Sequence, residues 1–375
     1  TNVVTYFQLC LIYNGMQSPV PMIMLTLVEV IVTTIFIFGY VFIYRHAYAP
    51  HRMCMIFGTD SALSLKIKLD SRLDKYQIDE LISAEEEEFS EICKKMVKYE
   101  AVVLNDVPAQ IRNDILKFCY DNEIRVYVVP KITDVILRGA NDVSLFDTPI
   151  FLVKGTGLTI TQKALKRLMD IILCLIAMIP ATPIMLIVAL AIKLEDGGPV
   201  FFKQDRATKD GEVFNILKFR SMIVNAEAAG ISIPATGEDP RITKVGKVIR
   251  AMRIDELPQL LNILKGDMSI VGPRPERVEH VEEYTRQIPE FKYRLKVKGG
   301  LTGYAQIYGK YNTSAYDKLR MDLMYIENYS IFLDIKLILT TIRIMFQKES
   351  TEGFEKQKEN EKLIEELIEK TKKDQ

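Results

Sequence analysis

The feature that most constrains this chain is an apolar run over residues 168–192 with two prolines near its centre. About 20 apolar residues cross the hydrocarbon core of a bilayer, so the run is long enough to enter a membrane. Pro180 and Pro183 each remove a backbone hydrogen bond and clash with the preceding turn, which favours a break in the helix. Lys166 and Lys193 flank the run, and basic flanks favour the cytoplasm at both ends. We predict a re-entrant helix that bends at the Pro-Ala-Thr-Pro segment and returns, with a kinked spanning helix as the alternative.

A second apolar run, residues 20–44, contains one carboxylate and three threonines and also has the length of a membrane span. Arg45 and His46 follow it at once, and the positive-inside rule places this end in the cytoplasm. Residues 3–13 are interpreted as the end of a further span. Residues 1–48 are therefore predicted to form one or more transmembrane helices.

Charge, cysteine and histidine content restrict the partners and sites that are expected. Lysine plus arginine and aspartate plus glutamate number 49 each, so no global charge points to nucleic acid, which is not an expected partner. The five cysteines form no CxxC pair and are interpreted as reduced, small apolar side chains. The three histidines lack partners at metal-ligand spacing, which argues against zinc. We expect a membrane protein of mixed α/β class with well-charged soluble parts.

Residues 52–155 alternate short β-rich runs with amphipathic stretches, the pattern of a parallel sheet with crossover helices. The strand-like runs include MCMIF, AVVLN and RVYVV. A dinucleotide site would need GxGxxG after the first strand, but the chain has GTDSALS, in which Gly58 is the only glycine. We expect a small Rossmann-like domain without the nucleotide fingerprint, in a structural or regulatory role.

An acidic pair, Asp255 and Glu256, is followed after Leu257 by Pro258, which suits the first turn of a helix. In most proteins such a pair is simply an N-cap. Here it lies among a set of basic residues: Lys218, Arg220, Arg241, Arg250, Arg253 and Arg274. Phosphoryl transfer from a nucleotide needs a nucleophile, cations that neutralise phosphates and usually Mg²⁺ held by carboxylates. The pattern therefore favours phosphoryl transfer.

Four motifs, KFRSM, DELPQLLN, LKGDMSIVGPRP and LTGYAQ, follow one another between residues 218 and 306. In order and spacing, residues 159–347 resemble the catalytic domain of the bacterial sugar transferase family, the monotopic phosphoglycosyl transferases. The arrangement of the whole chain resembles the family's large form, with N-terminal membrane helices and a Rossmann-like domain. The resemblance implies a mainly α-helical catalytic domain with a proline-broken re-entrant membrane helix.

The resemblance also implies a reaction and a place for it. Hexose 1-phosphate, mostly galactose or glucose 1-phosphate in large members, would pass from a UDP-sugar to undecaprenyl phosphate with release of UMP. This is the first membrane step of exopolysaccharide, capsule or O-antigen synthesis. The implied location is the bacterial inner membrane, with the catalytic domain on the cytoplasmic face. The lipid bilayer is thus a partner, and a homodimer is a further expectation.

Roles of single residues follow from the same resemblance. Asp255 is implied to be the nucleophile that forms a phosphosugar-aspartyl intermediate, and Glu256 its partner, both as ligands of Mg²⁺. Arg274, between two prolines, suits bidentate phosphate binding because its guanidinium matches phosphate geometry. Lys218 and Arg220 are further expected ligands of the diphosphate or of the lipid phosphate.

Three positions depart from the family pattern. Thr208 stands where the family usually has glycine, Gly299 where it commonly has proline, and Tyr304 where it has tryptophan. Glycine loosens the turn, and tyrosine keeps an aromatic ring with a polar group, so substrate fit is expected to differ while the acidic pair is unaffected. Residues 348–375 are predicted to form a charged solvated helix, with a short coiled coil as the alternative.

Three other functions are alternatives to phosphosugar transfer. An enzyme that uses the Rossmann-like part, such as a nucleotide-sugar epimerase or dehydratase, is disfavoured by the absent glycine fingerprint. A glycosyl transferase that moves the sugar alone would release UDP instead of UMP. A non-catalytic membrane scaffold of a polysaccharide assembly system is the main alternative, although a scaffold has no need to keep Asp255, Glu256 and Arg274 together.

Overall fold

The computed structural model describes residues 2–16, 18–47, 50–58, 62–70, 75–224, 239–309 and 313–345. The chain divides into two compact units, Thr1–Val129 and Pro130–Gln375. The predicted charged helix over residues 348–375 lies outside the described residues.

The first unit begins with two apolar helices, α1 (Asn2–Ile12) and α2 (Val20–Ala47). Residues 20–44 of α2 are long and apolar enough to cross a membrane, as the sequence predicts. Glu29, the carboxylate within this stretch, accepts a hydrogen bond from Asn2 Nδ2 at 2.5 Å. A carboxylate inside an apolar helix needs such a partner because an unpaired polar group in hydrocarbon is costly.

An α/β region completes the first unit: β1 (His51–Phe57), α3 (Ala62–Asp70), β2 (Tyr76–Ser83), α4 (Phe89–Met96), β3 (Ala101–Asn105), α5 (Ala109–Asp121) and β4 (Arg125–Val128). The four strands are parallel and lie in the order β2-β1-β3-β4. Alternate residues of β1 point to opposite faces, so Ile56 packs with α4 and α5 while Met55 packs with α3. The predicted strands and parallel sheet are confirmed, and the Rossmann-like classification stays a prediction.

Backbone from the loop after β3 lies against the carboxyl end of β1. Gly58 N donates to the Asn105 carbonyl at 3.2 Å, and a Cβ on Gly58 would lie 2.5 Å from the Asp106 carbonyl oxygen. In open α/β sheets the ligand crevice forms at this end, where the strand order reverses. Here the loop after β3 fills the space directly beside Gly58.

The second unit begins with α6 (Ile132–Arg138) and the antiparallel hairpin of β5 (Asn141–Leu145) and β6 (Thr148–Leu152). Ile132 and Val135 of α6 belong to the same buried cluster as Leu319 and Leu323. Helix α6 is thus part of the second unit, which begins at Pro130. The sequence instead predicts a domain boundary near residue 155.

Helix α7 (Ile160–Asp196) is the second helix that is long and apolar enough to cross a membrane. It starts at a capping box, in which Thr159 Oγ1 accepts from Gln162 N and Gln162 Oε1 accepts from Thr159 N. It contains Pro180 and Pro183, so helical structure continues through the segment at which the sequence predicts a break. Re-entry therefore stays a prediction.

One stripe of α7 packs against the second unit along the length of the helix. Its buried members recur at helical spacing: Lys166, Asp170, Cys174, Ala181, Val188 and Ile192. The other side is apolar and exposed, as at Ile179 and Leu186. Arg167 Nη1 donates to the Ile263 carbonyl at 2.6 Å, and Glu195 Oε1 accepts from Lys244 N at 2.8 Å. The two ends of α7 are thus both bound to the same unit.

The remaining elements complete a mostly helical domain: β7 (Phe201–Ala207), β8 (Val213–Phe219), α8 (Lys244–Ala251), α9 (Gln259–Lys265), β9 (Ser269–Val271), α10 (Val278–Gln287), β10 (Gly300–Thr302), α11 (Tyr304–Tyr308), α12 (Ala315–Glu327) and α13 (Ile331–Met345). β7 pairs antiparallel with β8, and β9 pairs parallel with β10. Val271, Phe291 and Leu337 lie at the centre of the core, fully buried.

Candidate active site

The acidic pair lies in a tight turn between α8 and α9. Arg253 has a left-handed backbone conformation with φ of 55°, and a single 3-10 turn, Ile254–Glu256, follows it. Left-handed conformations are uncommon for residues other than glycine and here turn the chain sharply after α8. Pro258 directly precedes α9, so both carboxylates stand before a helix, as the sequence predicts.

Glu256 binds two cations through a single carboxylate oxygen. Its Oε1 lies 2.8 Å from Lys218 Nζ and 3.1 Å from Arg274 Nη2. Burial by itself raises the pKa of Glu256, but the charges of Arg274 and Lys218 outweigh burial and hold the pKa below its ordinary value. Glu256 is therefore ionised, and it brings together two side chains that are 56 positions apart in the sequence.

Asp255, the residue before this ion-paired glutamate, has different surroundings. Within the part of the chain that the structure describes, its carboxylate takes part in no ion pair. Burial raises the pKa of Asp255, and the nearby charges of Lys218 and Arg250 oppose the rise. An unpaired carboxylate close to fixed positive charge can attack an anionic substrate once it is ionised.

Lys218 reaches the site from β8, where it pairs with Phe202 of β7. Its side chain is 19% exposed, and burial lowers its pKa while the charge of Glu256 opposes this. The end of β7 also contacts the loop that carries Arg274. Arg206 Nη1 donates to the Pro275 carbonyl at 3.1 Å, and Ala207 N donates to the Glu276 carbonyl at 3.0 Å.

Arg274 is carried by the Gly-Pro-Arg-Pro loop after β9, which packs backbone to backbone against β10. Gly300 N donates to the Pro273 carbonyl at 2.8 Å. A Cβ on Gly300 would lie 2.1 Å from Gly272 N, so only glycine allows this approach. The side chain of Arg274 is 42% exposed, which leaves part of the guanidinium accessible. The charge of Glu256 raises the pKa of Arg274.

Arg220, an expected phosphate ligand, is placed elsewhere by the structure. Its guanidinium forms a two-point ion pair with Asp196 at the end of α7, and Nε donates to the Pro199 carbonyl at 2.7 Å. The side chain is 7% exposed. A Cβ on Gly198 would lie 3.0 Å from this guanidinium, so the glycine makes room for it. Arg220 therefore joins the end of β8 to the end of α7.

The other basic residues of the sequence cluster also separate. Arg241 pairs with Asp239 at 2.6 Å, and Arg253 supplies the left-handed turn. Arg250 contributes charge near Asp255. The structure therefore brings together four of the predicted site residues, Asp255, Glu256, Lys218 and Arg274.

Sequence reasoning missed a buried support behind Arg274. Arg294 Nη2 donates to the Arg274 carbonyl at 2.9 Å, and Arg294 Nε donates to Asp322 Oδ2 at 2.9 Å. Arg294 and Asp322 are 3% and 1% exposed, and both lie outside the quoted motifs. The one signal available was a charged residue at a core-facing position of α12, because buried charges are rare unless paired.

Comparison with known proteins places this fold and site in a class. A family model described as bacterial sugar transferase matches residues 161–348, half of the chain and all within the second unit. The chain belongs to the bacterial sugar transferase family. All four converging residues lie within the matched region.

Curated relatives extend the comparison. The chain is 40% identical over 266 residues to UDP-N-acetylgalactosamine-undecaprenyl-phosphate N-acetylgalactosaminephosphotransferase of Aeromonas hydrophila, covering 66% of this chain and 59% of that protein. It is 41% identical over 211 residues to UDP-glucose:undecaprenyl-phosphate glucose-1-phosphate transferase of Escherichia coli K12, covering 55% and 44%. It is 41% identical over 179 residues to the uncharacterized sugar transferase EpsL of Bacillus subtilis 168, covering 48% and 86%. The chain thus spans about half the length of the first two relatives.

Proposed function

We propose that this chain transfers a sugar 1-phosphate from a UDP-sugar to undecaprenyl phosphate. The observation that carries the proposal is the contrast at the acidic pair: Glu256 is bound by Lys218 and Arg274, while Asp255 beside it is free of ion pairs within the described residues. Two relatives with this chemistry in their names support the reaction type. Their sugars are N-acetylgalactosamine and glucose, and the expected donor for this chain is UDP-glucose or UDP-galactose.

The proposed reaction has two steps with Asp255 as nucleophile. A carboxylate oxygen of Asp255 forms a bond to the phosphorus that carries the sugar, the bond from this phosphorus to the bridging oxygen breaks, and UMP leaves with that oxygen. An oxygen of undecaprenyl phosphate then attacks the same phosphorus and displaces Asp255. Splitting the transfer in this way replaces one difficult step by two easier ones.

Lys218 and Arg274 supply the positive charge that the reaction needs. Both are held by Glu256 before substrate arrives, so they need little reorganisation when charge develops on the phosphates. Arg274 is half-exposed and offers its planar fork to a phosphate. Arg220 is not part of this proposal because Asp196 already binds it.

Mg²⁺ is proposed as the cofactor, held by Asp255 and Glu256 together with substrate phosphates. In phosphoryl-transfer sites Mg²⁺ takes one or two carboxylates and completes its shell with phosphate and water. Both ion pairs of Glu256 use Oε1, so Oε2 stays available for such an ion. In the described ranges no group of three or more acidic, histidine or cysteine side chains could enclose a metal without substrate. A bound ion would neutralise charge on the diphosphate.

The membrane arrangement is also a proposal. The packing of α7 against one unit at both of its ends supports a re-entrant helix, since both ends then stay on one side of the bilayer. A substrate with its phosphate at the membrane surface and its tail in the bilayer requires the nucleophile at headgroup depth. We propose that the catalytic domain, residues 159–347, lies on the cytoplasmic face of the inner membrane and that residues 52–155 form a Rossmann-like domain. The proposed reaction stands at the start of exopolysaccharide, capsule or O-antigen synthesis.

The decisive experiment measures the nucleotide that is released. Purified protein in detergent, with Mg²⁺ and undecaprenyl phosphate, is offered a panel of UDP-hexoses. We expect UMP from the wild type, none from Asp255→Asn, and wild-type rates from Asp205→Asn, because Asp205 is exposed on β7. EDTA should stop the release. UDP would indicate plain glycosyl transfer, and no nucleotide with any donor would favour the scaffold.

A further inference from the structure

Thr208, at the end of β7, places a buried hydroxyl between two segments of the second unit. The residue is 5% exposed. Its Oγ1 donates to the Asp267 carbonyl at 3.1 Å and accepts from Gly299 N at 3.2 Å. Buried backbone groups without partners are costly, so this one hydroxyl satisfies a carbonyl and an N–H at once.

Gly299 in turn fixes the loop that carries Arg274. A Cβ on Gly299 would lie 2.5 Å from Pro275 Cγ, so the bare backbone of Gly299 sits against the proline ring. The next residue, Gly300, donates its N–H to the Pro273 carbonyl at 2.8 Å. Both prolines that flank Arg274 therefore rest on the backbone of residues 299–300.

The contacts form a continuous path from Thr208 to the acidic pair. Thr208 holds Gly299, residues 299–300 hold the two prolines, and Arg274 between them reaches Glu256 at 3.1 Å. Glycine at residue 299 would leave this turn loose if nothing else held it. We propose that Thr208 is a positioning residue whose hydroxyl fixes the Arg274 loop for binding of the nucleotide diphosphate. The role in catalysis rests on the proposed function, but the structural link does not.

The test compares three variants of the full chain. Thr208→Val keeps the size of the side chain and removes both hydrogen bonds, while Thr208→Ser keeps the hydroxyl. Thr285→Val is the matched control because it also removes a part-buried hydroxyl, which donates to the Val281 carbonyl at 2.6 Å within α10. Each variant is assayed for UMP release, for thermal unfolding and for hydrogen–deuterium exchange of residues 269–277.

We expect Thr208→Val to raise KM for the UDP-sugar by roughly tenfold with a smaller change in kcat, because a loosened arginine weakens substrate binding. Exchange in residues 269–277 should speed up. Thr208→Ser should restore KM and exchange, and Thr285→Val should neither raise KM nor speed exchange in this loop.

Equal KM and equal exchange in Thr208→Val and the wild type would overturn the proposal, as would the same changes in Thr285→Val. If the wild type itself releases no UMP, the proposed function fails, and the exchange data still decide whether Thr208 fixes the loop.

Discussion

Asp255 and Glu256 differ because of their surroundings, although they are adjacent and chemically alike. Glu256 accepts two cations, which hold its pKa below the ordinary value against the effect of burial. Asp255 has no ion pair among the described residues, and burial raises its pKa. Two carboxylates pushed in opposite directions can take different roles, one as a fixed counter-charge and one as the reacting group.

Replacement of Arg274 by lysine tests the need for a guanidinium. Lysine keeps the charge but loses the fork that can bind Glu256 and a phosphate together. We expect Arg274→Lys to raise KM for the UDP-sugar by about tenfold, the size of one charge-assisted hydrogen bond. Steady-state kinetics provide the measurement, and Arg286→Lys, at a side chain that is 79% exposed, is the control. Unchanged KM in Arg274→Lys would contradict direct phosphate binding.

Buried thiols of the first unit give a prediction about chemical reactivity. Burial raises the pKa of Cys54 to about 12 and that of Cys119 to about 11. Since the thiolate is the reactive form, about one molecule in a thousand or fewer is reactive at pH 8 in the native state. Iodoacetamide should therefore modify both cysteines slowly when native and at ordinary rates in guanidinium, as read by peptide mass spectrometry. Native rates equal to the unfolded rates would refute the burial of these thiols.

At the residue scale, motif reading predicted what the site contains but not which cation lies where. Lys218 lies in β8 and Arg220 directly follows this strand, yet one binds Glu256 and the other binds Asp196. Nothing in KFRSM separates the two, because Asp196 lies 24 positions earlier in the chain and its contact depends on how α7 packs. Thr208 and Gly299 are two of the three departures from the family pattern, and the structure brings them into contact.

At the scale of elements, the buried stripe of α7 and the contacts of its two ends both bear on how the helix lies in a membrane. Its burial stripe has helical spacing throughout, so one side packs on protein while the other presents apolar side chains. If α7 crossed the bilayer, its two ends would lie on opposite sides of the membrane. Both ends instead pair with residues of the second unit: Lys166 near the start pairs with Asp334 at 2.7 Å, and Asp196 at the end pairs with Arg220. This packing is the reason for preferring re-entry over a kinked span.

Accessibility of introduced cysteines distinguishes these two arrangements. In a chain with Cys10 and Cys93 replaced by serine, Lys163→Cys and Leu194→Cys mark exposed positions near the two ends of α7. We expect an impermeant thiol reagent to label both from the cytoplasmic side of membrane vesicles. Met16→Cys, before α2, should be labelled from the other side and serves as the control. Labelling of residues 163 and 194 from opposite sides would establish a spanning helix.

Local signals predicted elements well, while contacts between distant elements were beyond them. The strand Ala101–Asn105 follows from a short β-rich run, which is readable within a few residues. Helix α7 begins after Thr159, the residue at which the sequence analysis starts the catalytic domain. The buried pair of Arg294 and Asp322 joins residues 28 positions apart and has no local signature. The core role of α6 was missed for the same reason, since its partners in α12 lie far along the chain.

At the scale of the whole molecule, the family match and the candidate active site both lie in the second unit. If the proposed reaction is correct, we therefore expect the second unit alone to carry out UMP release. The first unit is then free to serve another role, such as the regulatory one expected from its sequence.

Two truncations test this division and its boundary together. A chain of residues 130–375 keeps α6, whereas a chain of residues 156–375 loses it, and Ile132 and Val135 are 7% and 1% exposed in the core. Burying one such side chain stabilises by about 1.5–3 kcal/mol, so the shorter chain should unfold several degrees lower. We expect the longer chain to release UMP at the full-length rate. Equal melting temperatures would place α6 outside the core, and a folded but inactive longer chain would assign the first unit a part in the reaction.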